Sequence, residues 1–320
     1  MLKIGSLKLK SNLILAPMAG ITDLPFRMLN RSFGCELAFV EMINVRSASH
    51  KSRKTKQMLF AHKRDRPLGV QILGCEKEYI DAGLDVVDAY KFDVLDFNAA
   101  CPVKKVTRRG EGASLLKDPK KLAGLLKLVI KKSRVPVTVK IRSGWDNVSI
   151  NAVEVARRCC GAGVSAIFIH GRTKEQGYAG AVDYATIAAV KKAVKIPVIA
   201  SGDILSAQLA KTMFERTACD GILLARGALG NPWLFKQISQ YLKDNKTDIF
   251  PDAAQLRGTI IKHLDMCVDF YTEGVGVMIF RKFFAWYTKG LRKIRPLRER
   301  SSRAKTKKEM LEIIRESLPG

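Results

Sequence analysis

Cys101 is the side chain of this sequence that is best placed to do chemistry. It stands just past a short apolar run that ends at Asn98, and Pro102 follows it directly. The next basic residues along the chain are Lys104, Lys105, Arg108 and Arg109. Because nearby cations favour a thiolate and attract phosphates, this pattern predicts a cysteine with a lowered pKa beside a phosphate-bearing ligand.

Lys140 interrupts another apolar run, at residues 136–141. An unpaired ammonium group is costly to bury, so Lys140 requires an anionic partner or a water-filled opening. A reduced flavin would supply negative charge for such a lysine, and a carboxylate on a neighbouring strand is the alternative. With a flavin bound there, Gln71 could hydrogen-bond the ring while Pro17 and Met18 pack against it.

Two glycine-containing segments, residues 201–203 and 225–227, follow the last two apolar runs. In parallel barrels the loops after strands seven and eight commonly bind phosphate through backbone N–H groups. Arg226 would add charge-assisted hydrogen bonds to the same anion, and Arg172, shortly after His170, would join it. Together the two segments predict a phosphate-bearing cofactor.

These residues need a fold that brings the ends of apolar runs together. Eight such runs, each followed by a longer helical pattern, occur at residues 13–19, 36–42, 68–73, 93–98, 136–141, 166–170, 197–200 and 221–225. Eight buried runs separated by helix-length segments predict a parallel (β/α)8 barrel. The competing layout, an open doubly wound sheet, normally has a glycine fingerprint after its first strand, and residues 17–20 do not contain one.

The strand pattern stops after Pro232, and the remaining chain has helical periodicity. The clearest helices are predicted at residues 253–271 and 275–292. We therefore predict an α/β protein with a TIM barrel at residues 1–245, followed by a smaller all-helical domain at residues 246–320.

The chain of 320 residues contains 56 Lys and Arg against 30 Asp and Glu, a formal net charge of +26. This excess indicates a polyanionic partner, and a solvated lysine-rich surface is the alternative. Residues 289–308 form the most basic segment, in which Glu299 is the only acid. We expect no membrane span, export signal, disulfide framework or metal site, because long apolar runs and C-x-x-C spacings are lacking.

The residues considered above lie in blocks that resemble the tRNA-dihydrouridine synthase family, especially its bacterial B-type branch. The matching blocks are APMAGITDLPFR (16–27), GVQILG (69–74), DFNAACPVKKV (96–106), KIRSGWD (140–146), HGRTKEQGYAG (170–180), SGDI (201–204), LARGALGNPW (224–233) and RKFFAWYTKGL (281–291). They follow the order and spacing of the family. Ala100 and Ser201 depart from the Gly and Asn that family members usually have there.

The resemblance implies an FMN enzyme that reduces the C5–C6 double bond of selected uridines in the tRNA D-loop with electrons from NADPH or NADH. Flavin N5 would deliver hydride to C6 of the flipped-out uracil, and Cys101 would protonate C5 as the catalytic acid. Asn98 and Arg142 would bind the base or its ribose phosphate, and Lys104 and Lys105 would contact the RNA backbone. The implied FMN-binding residues are Pro17, Met18, Ala19, Gln71, Lys140, His170, Ser201, Gly202, Asp203, Ala225 and Arg226.

Two other functions share parts of this pattern. A small-molecule FMN barrel oxidoreductase, similar to dihydroorotate dehydrogenase, would have the same flavin site but no use for a basic helical tail. A non-catalytic RNA-binding protein would keep the fold and would not need Cys101 or Lys140. We expect a monomeric cytoplasmic enzyme that acts on tRNA and binds neither DNA nor membranes.

Overall fold

A computed structural model describes residues 1–50 and 52–318. Eight parallel strands form its barrel: β3 (Leu13–Leu15), β4 (Leu37–Phe39), β6 (Leu68–Leu73), β7 (Val94–Asn98), β8 (Val137–Arg142), β9 (Ala166–His170), β10 (Val198–Ser201) and β11 (Gly221–Leu224). The barrel closes because β11 pairs with β3, while β5 (Ile43–Asn44) extends one edge of β6. Each predicted run overlaps one barrel strand, so the prediction of a TIM barrel is confirmed.

Helices follow the barrel strands and cover their outer surface. They are α1 (Leu24–Arg31), α2 (Val45–Ser49), α3 (Arg53–Leu59), α4 (Lys77–Asp88), α5 (Lys104–Thr107), α6 (Pro119–Lys132), α7 (Ala152–Ala162), α8 (Tyr184–Ala193), α9 (Ala207–Thr217) and α10 (Leu234–Asp244). Several begin at a side chain that accepts a hydrogen bond from the first turn, as Asp118 does for α6 and Asp183 for α8. Such N-caps satisfy N–H groups that have no partner within the helix.

Strand side chains alternate between the barrel interior and the surface beneath the helices. In β9, Ala166 and Phe168 belong to the interior cluster, whereas Ile167 and Ile169 pack against the outer helices. A hairpin of β1 (Leu2–Ile4) and β2 (Leu7–Leu9) packs against the interior cluster, with Gly5 lying beside the amino ends of β8 and β9. Apolar side chains therefore fill this end of the barrel, and a cavity can open only at the carboxyl ends of the strands.

Four helices follow the barrel and pack on one another: α11 (Ala253–Tyr271), α12 (Glu273–Tyr287), α13 (Arg295–Arg303) and α14 (Lys307–Ser317). α11 has the predicted bounds. The predicted helix over 275–292 differs from α12 at both ends. α12 begins earlier, at Glu273, and it stops at Tyr287, because Gly290 then adopts a φ of 89°, which a right-handed helix does not allow. The predicted domain boundary at residue 245 lies between α10 and α11, and residues 319 and 320 of the predicted helical domain lie outside the described residues.

The helical segment packs directly on barrel helix α1. The rings of Phe26 and Phe283 have centroids 5.4 Å apart, and Tyr271 donates a hydrogen bond of 3.0 Å to Asp23, the N-cap of α1. Lys282 donates to the carbonyl oxygen of Gly20 in the loop before α1. The loop after β3 is therefore tied to the helical segment. Within the described ranges, none of the helices is both long and apolar enough to cross a membrane.

His263 provides a test of this packing. Its ring is fully buried among aromatic side chains, and its Nδ1 lies 3.0 Å from the Tyr287 hydroxyl. Burial lowers the pKa of His263 to about 3, below the 6.5 of an unfolded chain. The unfolded state therefore binds a proton that the folded state does not, so the stability that His263 contributes above pH 6.5 is lost as the pH falls.

We expect the substitution His263→Phe to remove this pH dependence. Between pH 6 and pH 4 the unfolding free energy of the unchanged protein should fall by about 1.4 kcal/mol per pH unit more steeply than that of the variant. Urea unfolding at a series of pH values measures this difference. Equal slopes for the two proteins would contradict a neutral buried imidazole.

Candidate active site

The barrel contains a cavity of about 640 Å³ at the carboxyl ends of its strands. Among the predicted site residues, those that line this cavity are Pro17, Met18, Ala19, Gln71, Asn98, Cys101, Lys140, Arg142, His170, Ser201, Gly202, Asp203, Ala225 and Arg226. Lys104 and Lys105 do not line it; they are exposed on α5, just beyond Cys101. The second run adds Met42 to the lining, so residues within or directly after all eight sequence runs meet in one place, as the barrel topology predicts.

Cys101 lies in the loop after β7, and its backbone is held from two sides. Its N–H donates a hydrogen bond of 2.8 Å to Asn98 Oδ1, and its carbonyl oxygen accepts one of 3.1 Å from the N–H of Ala113. Gly112 packs so closely against this loop that a Cβ there would lie 2.8 Å from the carbonyl oxygen of Cys101, and its φ of +61° also favours glycine. The loop thus has one tightly packed conformation.

The predicted lowering of the Cys101 pKa is wrong. Burial raises the pKa of the thiol above its ordinary value of 9.0, and this outweighs the opposing effects of a hydrogen bond from the Val103 backbone and of the Arg142 cation. The lysines that suggested a thiolate lie on the exposed α5, where water screens their charge. Cys101 is therefore a neutral thiol at physiological pH, which can give up a proton.

Both departures from the family pattern are accommodated by the structure. Ala100 does not have a positive φ, so its methyl group introduces no backbone strain, and its carbonyl oxygen accepts a hydrogen bond of 2.7 Å from Arg142 Nε. Ser201 donates a hydrogen bond of 3.1 Å to the carbonyl oxygen of Ile169 and accepts one of 3.3 Å from Lys140 Nζ. The serine hydroxyl therefore helps to position Lys140.

Lys140 points into the barrel from β8, at the register position opposite Asn98 of β7. Burial is the main effect that lowers the pKa of Lys140, the Arg142 cation adds to it, and the carboxylate of Asp96 opposes both. The sequence left open whether Lys140 pairs with a carboxylate or with a ligand. The carboxylate of Asp96 stabilises the ammonium group from within the barrel, and Lys140 also faces the cavity.

Arg142 is buried and braces the loops around the cavity. Besides Ala100, it donates to the carbonyl oxygens of Thr173 at 2.9 Å and Gly177 at 2.8 Å. The predicted contact of Arg142 with a substrate base remains a prediction. What the described residues show is that Arg142 connects the loop after β7, which carries Cys101, to the loop after β9.

Asp203 joins the two arginines that the sequence associated with a phosphate. Its carboxylate forms ion pairs with Arg172 and Arg226, and these cations lower the pKa of Asp203. Arg172 is buried behind Asp203 and does not line the cavity, whereas Arg226 is half exposed at its edge. Of the two arginines, Arg226 is therefore the one that can reach a bound anion.

The pKa of His170 indicates the electrostatic potential of the cavity. This pKa is lowered to about 2, mainly by burial and in addition by the cations Lys140, Arg142, Arg172 and Arg226. The imidazole is consequently neutral, and it lies in a region of positive potential that would attract an anionic ligand.

Two residues that the sequence analysis overlooked belong to this site. Tyr178 stands at the mouth of the cavity, with the guanidinium groups of Arg142 and Arg226 at 5.6 Å and 4.9 Å from its ring centroid. Asp96 is buried in β7 and accepts hydrogen bonds from Gln71 and Thr138. The sequence did contain a signal for Asp96, because Asp96 is an ionisable residue within an apolar run, as Lys140 is. Tyr178 lies in a loop whose sequence has no such local pattern.

The chain is similar to known proteins over nearly its whole length. A family model described as dihydrouridine synthase matches residues 14–319. A probable tRNA-dihydrouridine synthase of Rickettsia prowazekii is 41% identical over 293 residues, 91% of this chain and 89% of that protein. Proteins named tRNA-dihydrouridine synthase B from Pasteurella multocida and Pseudomonas aeruginosa are both 38% identical, covering 91% and 94% of this chain and 87% and 91% of their own lengths. With this extent of similarity and the cavity described above, the chain belongs to the dihydrouridine synthase family.

Proposed function

We propose that this protein is an FMN-dependent tRNA-dihydrouridine synthase, which reduces the C5–C6 double bond of uridines in the tRNA D-loop with electrons from NADPH. The observation that carries the proposal is the neutral Cys101 thiol, which lines the same cavity as Lys140 and the glycine-containing ends of β10 and β11. Family membership supports the reaction, and the cavity supports the residues that would perform it.

The residues of the cavity fit FMN. Positive potential around His170 suits an anionic ligand, and Gly202, whose φ of 133° and close contact with Val182 both favour glycine, lines the cavity with its backbone. Gly202 and Arg226 would bind the phosphate, Gln71 and Lys140 the polar edge of the ring, and Pro17, Met18 and Ala19 its face. His170, Ser201, Asp203 and Ala225 complete the set that would hold FMN. When bound and reduced, FMN would supply a hydride to C6 of the uracil.

The protein's own part in the reaction is to hold the base and donate a proton. Addition of hydride to C6 leaves enolate-like charge on the uracil, and a neutral acid near C5 removes that charge by protonation. Cys101 Sγ would donate this proton, while Asn98 and Arg142 would bind the base. A uridine must leave its stack to enter a closed barrel, so the protein must also grip the RNA backbone around it.

The basic surface of the helical segment supports binding to tRNA. Lys289, Arg292, Lys293 and Arg295 are exposed between α12 and the start of α13. Some other basic residues of the same segment are paired within the protein, as Arg300 is with Glu316 and Arg303 with Glu299, whereas Lys305 and Lys308 are exposed near the start of α14. The α12–α13 connection therefore has the densest group of exposed basic residues in this segment. We propose that residues 246–320 act as the tRNA-binding domain.

Deletion of residues 289–320 would not test this surface cleanly. Met310, Ile313, Ile314 and Leu318 are buried in the core that α14 shares with the other helices, so the truncation would expose apolar side chains. Substitution of the exposed Lys289 and Arg292 by alanine avoids that problem and should weaken tRNA binding without loss of folding.

We expect the double substitution Lys104→Ala and Lys105→Ala to weaken tRNA binding and reduce its salt dependence. Each lost phosphate contact should lower the slope of log K against log salt by about 1, so the two together should lower it by about 2. The matched control is Lys3→Ala with Lys8→Ala, which removes the same charge from the exposed hairpin at the opposite end of the barrel. An equal loss in both variants would show that only net charge matters.

Purified protein incubated with NADPH and tRNA that lacks dihydrouridine tests the reaction itself. Nucleoside analysis by mass spectrometry should detect dihydrouridine in the D-loop, and the protein should contain about one FMN per chain. Reduction of free uracil or dihydroorotate chemistry without tRNA turnover would favour the small-molecule enzyme instead. Tight tRNA binding with no flavin and no product would indicate the non-catalytic RNA-binding protein.

A further inference from the structure

A continuous chain of hydrogen bonds runs from the buried Asp96 to the backbone of Cys101. Gln71 Nε2 donates to Asp96 Oδ2 at 2.7 Å, and Asn98 Nδ2 donates to Gln71 Oε1 at 2.7 Å. Asn98 Oδ1 then accepts from the N–H groups of Ala100 at 3.0 Å and Cys101 at 2.8 Å. We call the three linked side chains Asp96, Gln71 and Asn98 the Asp96 relay.

The direction of every bond in the Asp96 relay is determined by its two ends. Backbone N–H groups can only donate, so the oxygen of the Asn98 amide must face the Cys101 loop and its nitrogen must face Gln71. Gln71 must then present its oxygen to Asn98 and its nitrogen to the next partner. A carboxylate, which only accepts, is the group that suits this position, and Asp96 provides it.

Asp96 is itself fixed by the barrel. It lies beside Gln71 of β6 and Thr138 of β8 in the strand register, and Thr138 Oγ1 donates a hydrogen bond of 2.6 Å to its second oxygen. Its exposed fraction is only 2%, so water does not compete for these bonds. Burial raises the pKa of Asp96, while the bonds from Thr138 and Gln71 and the charge of Lys140 lower it and favour the carboxylate.

We propose that Asp96 is a positioning residue, which sets the orientation of the Gln71 and Asn98 amides and thereby holds the loop that carries Cys101. Asp96 does not line the cavity. Its action reaches the cavity through Gln71, which lines the cavity and donates one N–H to Asp96, so that its second N–H is left for the ligand side. Asn98 uses both of its N–H groups within the protein, on Gln71 Oε1 and on Met42 Sδ at 3.2 Å. Gln71 therefore offers a donor to a ligand with a carbonyl oxygen, such as uracil or a flavin ring, an assignment that rests on the function proposed above.

The test measures how fast iodoacetamide alkylates each cysteine, resolved by peptide mass spectrometry, and it requires neither flavin nor tRNA. Asp96→Leu removes the acceptor while keeping a similar size, and should raise the alkylation rate of Cys101 by about tenfold because the loop loses its anchor. Cys75 and Cys160, which are also partly exposed, serve as internal controls and should change less than twofold. A rise at all three cysteines would indicate general loosening and would overturn the proposal.

Asp96→Asn is the matched variant, because it removes the charge but can still turn its oxygen towards Gln71. Its Cys101 rate should stay within twofold of that of the unchanged protein. An increase equal to that of Asp96→Leu would show that charge, and not the hydrogen-bond acceptor, is what matters, and would also overturn the proposal. If Asp96→Leu does not fold, Asp96→Ala removes the same acceptor without added bulk and has the same expected outcome.

Gln71→Leu interrupts the Asp96 relay at its middle and should raise the Cys101 rate as Asp96→Leu does. Because both substitutions break one chain of bonds, the double variant should react no faster than the faster single variant. Multiplicative effects would mean that the two residues act separately. A failure of dihydrouridine formation would leave these alkylation results unaffected, so the proposed function and the Asp96 relay can fail independently.

Discussion

Replacing Cys101 by alanine is expected to slow dihydrouridine formation by about 10²–10⁴-fold, the usual contribution of a positioned general acid. The thiol is neutral because burial raises its pKa, and its loop is held by Asn98 and Ala113. Alanine keeps the loop and its backbone hydrogen bonds but has no proton to donate. Single-turnover reduction of unmodified tRNA by the reduced enzyme measures the effect without interference from product release.

The FMN content and the tRNA affinity of Cys101→Ala should remain close to those of the unchanged protein, since no backbone contact is lost. Cys160→Ala, on the outer helix α7, is the matched control and should retain full activity. Turnover of Cys101→Ala within a few-fold of normal would contradict the role of this thiol as the acid.

The raised pKa of Cys101 also predicts the pH profile of the reaction. A general acid must be protonated to act, so its activity is lost only as the pH rises through its pKa. Because burial raises that pKa above 9.0, ionisation of this thiol should not reduce the rate between pH 7 and pH 8. If Lys104 and Lys105 lowered the pKa of Cys101, as the sequence suggested, the thiol would ionise and the rate would fall within this range.

Replacing Lys140 by methionine is expected to lower dihydrouridine formation by about 100-fold, as the loss of one preorganised charge in a closed site commonly does. Methionine has a similar length but lacks the ammonium group. In the structure Lys140 lines the cavity, and its ammonium group donates a hydrogen bond to Ser201. The negative charge that reduction adds to a bound flavin would then lose the stabilisation that the Lys140 ammonium group provides. The midpoint potential of the bound flavin should therefore become more negative, which a dye-coupled titration measures.

Lys127→Met, on the exposed surface of α6, removes the same charge at a distance and serves as the control. It should leave both the potential and the rate unchanged. A normal flavin potential in Lys140→Met would place the lysine outside the flavin site, even if the rate fell.

Much of the fold follows from local pattern. The eight apolar runs, their parallel order in the barrel and the bounds of α11 depend on residue types that recur along one stretch of chain. The helix end after Tyr287 was harder to predict, because Thr288 and Lys289 are compatible with a helical pattern. The helix ends before Gly290, whose left-handed backbone conformation is seen only in the structure. Sequence periodicity determines that an element exists more reliably than where it ends.

The sequence by itself determined the barrel, the family and the strand ends at which Cys101, Lys140 and Arg226 stand, because strand period and motif order are encoded in neighbouring residues. Only the tertiary structure decided their chemical state. The Cys101 pKa rises instead of falling because burial, which depends on residues far apart in sequence, outweighs the charges of nearby lysines. The Asp96 relay likewise depends on the register between β6, β7 and β8, which brings Gln71 and Thr138 to the two oxygens of one carboxylate. Contacts between strands decide such properties, and no single stretch of the chain contains them.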